Sequence, residues 1–418
     1  MIDNSEFAEK YYKSLFVYYA NVCIFAIQIY ICIMCEIKEM SLRLPNIGFD
    51  MPITDAIMEL EKLRYKRLGG TTLPCVFFQL QYIFHMLESI GSSRIEGNNT
   101  TVMDYVETTK LNNPQQSLFG DKDDIKQIEN GEEAMRYIEE NIADIEISKH
   151  FLRELHVLTV KDLDPSKEGA RNPGLFRSGN VKINKSDHLP PDYTQVDALM
   201  DELIGFVNEE CSPKYDLLKV AIAHHRFVWI HPFENGNGRV VRLFTYAMLL
   251  KKNIFYSNER IVNPTAVFCS DRQKYYDYLA MADKGTDDGL IAWAEYMLAG
   301  LKTEIEKVDK LLDYDYLLTT ILLPTLHDAH ERDYINEAEY KVLKVAVQKQ
   351  IFQASDVIEL FGKDSAKVSR IIRSLRDKNM LMPIQENARK YYPLFKNSKL
   401  LRGIIHKLDE NGFLPNNL

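Results

Sequence analysis

A polar, glycine-punctuated loop lies between two strongly apolar segments, and it constrains the fold more than any other feature of this 418-residue chain. Residues 215–230 and 240–250 are apolar nearly all round, which is typical of helices buried in the centre of a domain. The loop between them, residues 231–239, reads HPFENGNGR. Two buried helices that hold a short polar loop provide the rigid support that a binding or catalytic site needs.

The glycines of this loop indicate an anion-binding backbone. Gly236 and Gly238 admit the φ values and the close approach that turn successive N–H groups toward one anion. A helix that begins near Asn237 adds the positive end of its dipole at the same point. The loop therefore predicts a phosphate site.

Three ionisable side chains flank these glycines. Arg239 lies one helical step past the loop and Arg242 lies three residues further, so both guanidinium groups can reach the same phosphate or carboxylate. His231 is the group here that can accept a proton at neutral pH. Taken singly, each residue is ordinary in a helix end or a turn, but the combination indicates a reactive site.

Residues 231–242, HPFENGNGRVVR, resemble the signature of the Fic family, His-x-Phe-x-Asp/Glu-Gly-Asn-Gly-Arg-x-x-Arg. The resemblance covers roughly residues 45–310. It implies a protein adenylyltransferase that moves AMP from ATP to a Ser, Thr or Tyr hydroxyl of a target protein, with His231 as general base. The residues it implies for nucleotide binding are Gly236, Asn237, Gly238, Arg239, Arg242, Tyr275 and Tyr276.

Two positions of the signature bear on the reaction. Related phosphotransferases carry a bulkier residue where this chain has Gly238, so this glycine favours nucleotidyl over phosphoryl transfer. Asn235 departs from the signature, because it stands where the family has the acidic ligand of Mg²⁺ and offers a neutral oxygen. Glu234 is the substitute ligand, and the alternative is a low affinity for the metal.

A second motif, residues 92–98 with the sequence SSRIEGN, ends a helix predicted over residues 72–95. Gly97 is the expected helix stop, and Glu96 at a helix C-terminus opposes the dipole, so it needs a partner. The motif resembles the inhibitory motif of the Fic family, which implies that Glu96 pairs with Arg242 and restrains the reaction. Two alternatives stay open: a solvated loop residue, or activation of water by Glu96 for removal of AMP.

Two further features acquire a function through the resemblance. Residues 176–191 predict a β-hairpin that carries Val181, Lys182 and Ile183, and the resemblance makes it a flap that docks the target protein. A small structural ribbon is the alternative. For Tyr275 and Tyr276 the resemblance implies contact with adenosine, and core packing is the alternative.

The last region, residues 336–418, predicts a winged helix-turn-helix, with helical stretches at 337–349, 354–361 and 365–378 followed by a hairpin, LMPIQENARKYYPL. It carries 15 Lys and Arg against 9 Asp and Glu, whereas the whole chain has a net charge of −9. The helix predicted over residues 365–378 places four basic side chains opposite its apolar stripe and the wing adds two more, which suggests contact with DNA phosphates. A solvated charge run on a protein-interaction module is the alternative. These residues are Lys367, Arg370, Arg373, Arg376, Arg389 and Lys390. A DNA-binding regulator that senses nucleotide is therefore the rival function.

The N-terminus is ambiguous. Residues 15–35 contain no charged side chain and are long enough to span a bilayer, whereas Met40 opens an ordinary protein start. The segment is an over-long start, a membrane anchor or a docked helix, and the location is cytoplasmic unless it spans a membrane. The six cysteines indicate reduced thiols and no zinc site.

The predicted fold is mainly α: a Fic-type helical core with a β-hairpin flap, plus a small winged helix-turn-helix domain. The oligomeric state, a homodimer included, stays open. The predicted divisions are an apolar segment 1–39, a helical region with the inhibitory motif 40–110, the catalytic core 111–313, a connector 314–335 and the winged helix 336–418.

Overall fold

The computed structural model of the chain describes residues 42–65, 71–110, 122–183, 186–252 and 264–414. Arg43–Leu418 form one compact unit. The apolar segment 15–35 lies outside the described residues. Within the ranges described, no helix has both the length and the apolar character needed to cross a bilayer.

The described residues are predominantly helical, which confirms the predicted fold class. The α-helices are α1 Pro52–Tyr65, α2 Pro74–Glu96, α3 Val102–Lys110, α4 Lys122–Asn141, α5 Lys149–Val160, α6 Val196–Asn208, α7 Asp216–Ile230, α8 Asn237–Lys251, α9 Pro264–Ser270, α10 Arg272–Ala282, α11 Asp287–Asp309, α12 Tyr314–Leu317, α13 Leu323–Glu331, α14 Glu337–Lys349, α15 Ser365–Asp377 and α16 Ser398–Glu410. The strands are β1 Phe352–Gln353, β2 Leu381–Pro383 and β3 Lys390–Pro393.

Helices α7 and α8 lie at the centre of the fold, as their apolar sequences predict. They pack against each other, while α6 and α11 cover α7, and α2, α4, α5 and α9 cover α8. Nearly every side chain of both helices is buried. Because neighbours surround both helices, the loop that joins them is held at each end by the core.

Helix α2 brings the second motif to this centre. It ends where the sequence predicts, because Gly97 adopts φ 111° and donates its backbone N–H to the carbonyl of Arg94. A side chain could adopt that φ only with strain. At the other end of α2, the Gln79 amide accepts from Phe395 N–H and donates to the carbonyl of Pro393. One helix therefore connects the C-terminal region to the active-site loop.

The C-terminal region contains the small antiparallel sheet, in the order β1-β3-β2. The hairpin expected after α15 is confirmed, with Met382 opposite Tyr392. The helix expected over residues 354–361 is replaced by two short 3-10 segments, because Asp356 bonds back to the N–H of Gln353 and caps a turn. The winged-helix assignment itself stays a prediction.

The predicted flap differs from the structure. Residues 176–183 and 186–191 contain no strand on either side of residues 184–185, so a hairpin ladder is not formed there. Pro190 and Pro191 lack the N–H that a ladder requires. The Arg177 guanidinium instead binds the carbonyls of Gly179 and Pro191, and an irregular loop results.

Candidate active site

The loop after α7 is closed by its own side chains. His231 ends the helix in the left-handed region, at φ 51°, which is uncommon for a residue with a Cβ. The Asn237 amide accepts from Phe233 N–H and donates to the carbonyl of Phe233, both at 2.9 Å. Phe233 is fully buried. The Asn237 side chain therefore shapes the loop, and only its backbone N–H is left for the nucleotide role expected of this residue.

His156 supports the loop from α5. Its Nδ1 accepts from Gly174 N–H at 2.9 Å, and its Nε2 lies 3.2 Å from the carbonyl of Asn235. These partners require a neutral ring with the proton on Nε2. The ring stacks on Phe233 with centroids 3.9 Å apart, and burial lowers the pKa of His156 to about 4. His156 is therefore a satisfied core residue, as its place among apolar positions in the sequence predicts.

His231 is poised as a neutral base. Its desolvation lowers its pKa to about 4, against the opposing influences of the Val228 carbonyl and the Glu96 charge. At neutral pH the ring therefore accepts a proton without first having to lose one. The backbone N–H groups at the start of α8 lie beyond the intrahelical ladder, whose first bond there is Val240 N–H to Gly236 carbonyl.

The structure brings Glu96 and Arg242 together. Arg242 Nη2 lies 2.7 Å from Glu96 Oε1, and the same guanidinium binds the hydroxyl and the carbonyl of Ser92. Arg242 is buried, at 2% side-chain exposure, whereas Glu96 is 27% exposed. Burial alone would raise the pKa of Glu96, but the charge and hydrogen bonds of Arg242 lower it, so the carboxylate is ionised at neutral pH. The inhibitory role of the pair stays a prediction.

Gly238 is required by this pair. A Cβ added at Gly238 would lie 2.0 Å from Glu96 Oε1 and 3.2 Å from Arg242 Nη1. No side chain fits at that position while the carboxylate is in place. Glu96 thus occupies the space directly beside the glycine that the sequence assigned to phosphate binding.

Arg239 is also buried and has a carboxylate partner of its own. Its Nη2 binds the backbone carbonyl of Glu168 at 2.7 Å and Glu168 Oε2 at 2.9 Å. Arg239 Nε and Nη1 and Arg242 Nη1 are buried, yet they have no hydrogen-bond partner among the described residues. Buried N–H donors are costly when unmet, so these groups favour an anionic ligand.

The metal ligands expected at the loop do not fit this arrangement. The Asn235 amide nitrogen donates to the carbonyls of Lys167 and Gly169, and its oxygen accepts from Gly236 N–H at 2.8 Å. Glu234 is exposed. In the described part of the chain, no cluster of three or more His, Cys, Asp or Glu side chains could hold a metal ion.

The two tyrosines have different positions. Tyr275 is buried and its hydroxyl bonds His224 Nε2 at 2.9 Å, while His224 Nδ1 bonds Thr245 Oγ1 at 2.7 Å. This position agrees with the core-packing alternative, because the side chain belongs to a hydrogen-bonded relay that joins α7, α8 and α10. The nucleotide contact of Tyr275 stays a prediction. Tyr276 is partly exposed and lies near α2, with its hydroxyl 3.5 Å from the carbonyl of Ile95.

Sequence reasoning missed two residues of the site. Arg177 is buried and binds the carbonyl of His231 through Nε at 2.9 Å, while its backbone N–H binds the carbonyl of Pro232. The second missed residue is Glu168, whose carboxylate binds Arg239. Both lie in irregular segments without periodicity, so no pattern in the sequence distinguished them from solvated charges.

The segment that carries the loop, His231 and the two arginines matches a known protein family. Residues 146–249 match the sequence model of the Fic/DOC family. These residues form a Fic/DOC domain. The match begins just before α5, ends within α8 and contains His231, Arg239 and Arg242, so the Fic/DOC domain includes the whole glycine loop. Glu96 lies outside it, on α2.

Two proteins similar to this chain are named for an enzymatic activity. The protein adenylyltransferase Fic of Culex quinquefasciatus is 30% identical over 208 residues, which are 49% of this chain and 37% of the relative. The protein of the same name from Aedes aegypti is 28% identical over 208 residues, covering 49% of this chain and 38% of the relative. The chain thus spans less than two fifths of the length of these relatives.

A solved structure shares the fold. The crystal structure of a Fic family protein from Desulfovibrio desulfuricans G20 superposes with a TM-score of 0.52 at 19% identity. The alignment covers 84% of this chain and 98% of that chain. The likeness therefore extends beyond the Fic/DOC domain and concerns the fold.

Proposed function

We propose that the chain is a protein adenylyltransferase, which transfers AMP from ATP to a hydroxyl group of a target protein. The observation that carries the proposal is the set of buried, unmatched N–H donors on Arg239 and Arg242 beside the neutral base His231. The names of the relatives support the same reaction. The transfer itself is a proposal for this chain.

The reaction follows from the proposed roles. His231 removes the proton from the acceptor hydroxyl as its oxygen attacks the α-phosphorus, a new P–O bond forms, and the bond to the β-phosphate breaks. AMP stays on the target, pyrophosphate leaves with the bonding electrons, and His231 carries the proton. Because the Gly236 N–H is bonded to the Asn235 oxygen, the backbone N–H groups of Asn237 and Gly238, with Arg239, hold the phosphates in line. No step is assigned to Mg²⁺, because the Asn235 amide is engaged elsewhere.

The proposed reaction is restrained by Glu96. With its carboxylate on Arg242, it occupies the place and the positive charge that the terminal phosphate of ATP would use. ATP then binds with its α-phosphorus out of line for attack, so the pair reduces the rate more than the affinity. Release of Glu96 is the proposed activating event.

The target protein docks beside the loop in this proposal. Val181, Lys182 and Ile183 lie in irregular, partly or fully exposed backbone that Arg177 fixes to the carbonyl of His231. Backbone of this kind positions a peptide through main-chain hydrogen bonds and does not require a particular sequence.

We also assign the reaction to the cytoplasm, because ATP is the substrate and Cys75, Cys211 and Cys269 are free thiols.

Incubation with ATP labelled in either the α- or the γ-phosphate tests the proposed reaction. We expect covalent incorporation of the α label into protein and none of the γ label. The matched control is His231→Ala, which keeps the cradle but lacks the base. Covalent γ label would instead indicate phosphoryl transfer, and equal α labelling of the control would remove His231 from the mechanism.

The exposed basic face of α15 supports a second candidate, a DNA-binding regulator that senses nucleotide. Lys367, Arg370, Arg373 and Arg376 are exposed, and the three arginines form no ion pair with any described residue. A phosphate-binding face of this kind predicts retention of duplex DNA that falls steeply with salt and is lost when the three arginines become alanine. If the triple variant still retains duplex DNA, the three arginines do not bind DNA and this face is only solvated.

A further inference from the structure

The one departure from the family signature has a structural counterpart in this chain. The Asn235 amide nitrogen donates to the carbonyl of Lys167 at 2.8 Å and to that of Gly169 at 3.3 Å. These two carbonyls flank Glu168, whose carboxylate lies 2.9 Å from Arg239 Nη2. Asn235 therefore holds the segment that presents an acid to the pocket.

An acidic residue could not do the same at this position. An ionised Asp or Glu carries no N–H to donate, and its oxygens would face the two carbonyl oxygens of Lys167 and Gly169. An amide satisfies both carbonyls and still accepts from Gly236 N–H at 2.8 Å. The chain thus lacks an acidic side chain at position 235, and Asn235 instead positions the acidic side chain of Glu168, which lies outside the loop.

The turn that carries Glu168 is closed by its own backbone. Lys167 N–H and Gly169 N–H both bond the carbonyl of Asp164. A Cβ at Gly169 would lie 2.4 Å from the carbonyl oxygen of Leu163, so no side chain fits there. With Asn235 on its other side, the turn holds Glu168 at one place relative to Arg239.

We propose that Glu168 is a second resident carboxylate of the pocket, which competes with a nucleotide phosphate for Arg239, and that Asn235 is its positioning residue. The inference rests on the proposed function only in that the competing anion is ATP. Each arginine of the loop then has its own acid: Glu96 from α2 covers Arg242, and Glu168 covers Arg239.

The exposures of the pair show which partner can yield. The Arg239 side chain is 4% exposed, whereas the Glu168 side chain is 35% exposed. Burial lowers the pKa of Arg239 and the neighbouring Glu168 opposes that shift, so the guanidinium stays charged and needs an anion. A phosphate can supply that anion while the carboxylate turns to water. The exchange costs little, because a charge-assisted partner is replaced by another.

The two acids come from different segments and bind different arginines. Glu96 ends α2, whereas Glu168 lies after α5, in the loop that precedes the docking segment. Removal of Glu96 frees Arg242 and leaves Glu168 on Arg239. A chain that lacks only Glu96 therefore binds ATP less tightly than a chain in which Glu168 has also lost its charge.

Binding of ATP, measured by equilibrium dialysis in the Glu96→Gly background, tests the inference. Glu168→Gln keeps the shape of the side chain and removes its charge, so we expect ATP to bind at least about fivefold more tightly, the scale of one net hydrogen bond. The matched control is Glu133→Gln, which removes an acid paired with Lys161 at 2.9 Å, away from the arginines. The control should bind ATP as its parent does.

Asn235→Ala separates positioning from general damage. If Asn235 acts through Glu168, Asn235→Ala tightens ATP binding in the Glu96→Gly background and adds nothing once Glu168 is already Gln. Additive effects, or weaker binding by Asn235→Ala in both backgrounds, would show that Asn235 does not act through Glu168.

The outcomes distinguish this inference from the proposed function. Unchanged or weaker ATP binding by Glu168→Gln overturns the inference, and a loss that appears only with Mg²⁺ would make Glu168 a metal ligand instead. Tighter ATP binding without covalent label in any variant supports the inference and overturns adenylyl transfer. Absence of ATP binding from every variant overturns both.

Discussion

Two sets of arginines carry the same charge in opposite surroundings. Arg239 and Arg242 are buried, and each lies within 2.9 Å of a carboxylate oxygen. Arg370, Arg373 and Arg376 lie exposed on α15 and form no ion pair with a described residue. The first pair is fixed by the core, whereas the second set lies in water, with one hydrogen bond from Arg370 Nε to the carbonyl of Ala366.

Burial decides what each set can do. A buried arginine requires an anion at all times, so a resident acid and a phosphate exclude each other, and one substitution shifts the balance. An exposed arginine loses little when unpaired and contributes only to additive, salt-dependent attraction. The pocket is therefore suited to switching and the α15 face to docking.

The largest effect should follow from loss of the base inside the pocket. His231→Ala is expected to lower self-incorporation of α-labelled AMP by about 10²- to 10⁴-fold, the usual contribution of a positioned general base. The triple replacement of Arg370, Arg373 and Arg376 by alanine should leave this incorporation within about twofold, since exposed substitutions rarely change a distant site. An equal loss in the triple variant would break the division between the two regions.

A smaller effect should separate the two arginine sets in stability. Arg242→Ala leaves Glu96 and Ser92 without their partner, so we expect a loss of about 3 kcal/mol in the free energy of unfolding. Arg373→Ala should change it by less than about 0.5 kcal/mol. Denaturant unfolding of both variants measures the contrast, and equal values would mean that the Glu96–Arg242 pair is as loosely held as a surface charge.

The smallest change should come from pH. Since the pKa of His231 lies near 4, below its usual value, the ring is already neutral at pH 5 and loses its role as a base only as pH falls through about 4. Incorporation by Glu96→Gly should stay nearly level from pH 7 to pH 5, because the Glu96 charge, which opposes this lowering, is absent. A fall centred near pH 6.5 would indicate a solvated His231.

The sequence predicted the elements around the loop because their physics is local. Unbroken apolar runs identified α7 and α8, Gly97 marked the end of α2, and a Glu opposing the helix dipole called for a partner, which proved to be Arg242. The first two signals lie within a few residues of the features they predict. The need for a partner is also visible locally, but the partner itself is 146 residues from Glu96 and was implied by the family resemblance.

The parts that the sequence did not predict depend on distant contacts in irregular backbone. Arg177 replaces the expected flap ladder through bonds to carbonyls 2 and 14 residues away and to His231. The bond between the Tyr275 hydroxyl and His224, 51 residues away, has no signature in the sequence around either residue. Glu168 reaches Arg239 across 71 residues of chain, which no periodicity encodes.

The central claim, that a transfer site is present and Glu96 restrains it, is tested most directly by Glu96→Gly. We expect covalent AMP incorporation at least about tenfold above the unsubstituted chain, equivalent to about 1.4 kcal/mol in the barrier, with a smaller change in ATP affinity. Arg242→Ala should not reproduce the increase, because it removes the phosphate ligand together with the restraint. Unchanged incorporation by Glu96→Gly, with His231 still essential, would contradict the claim.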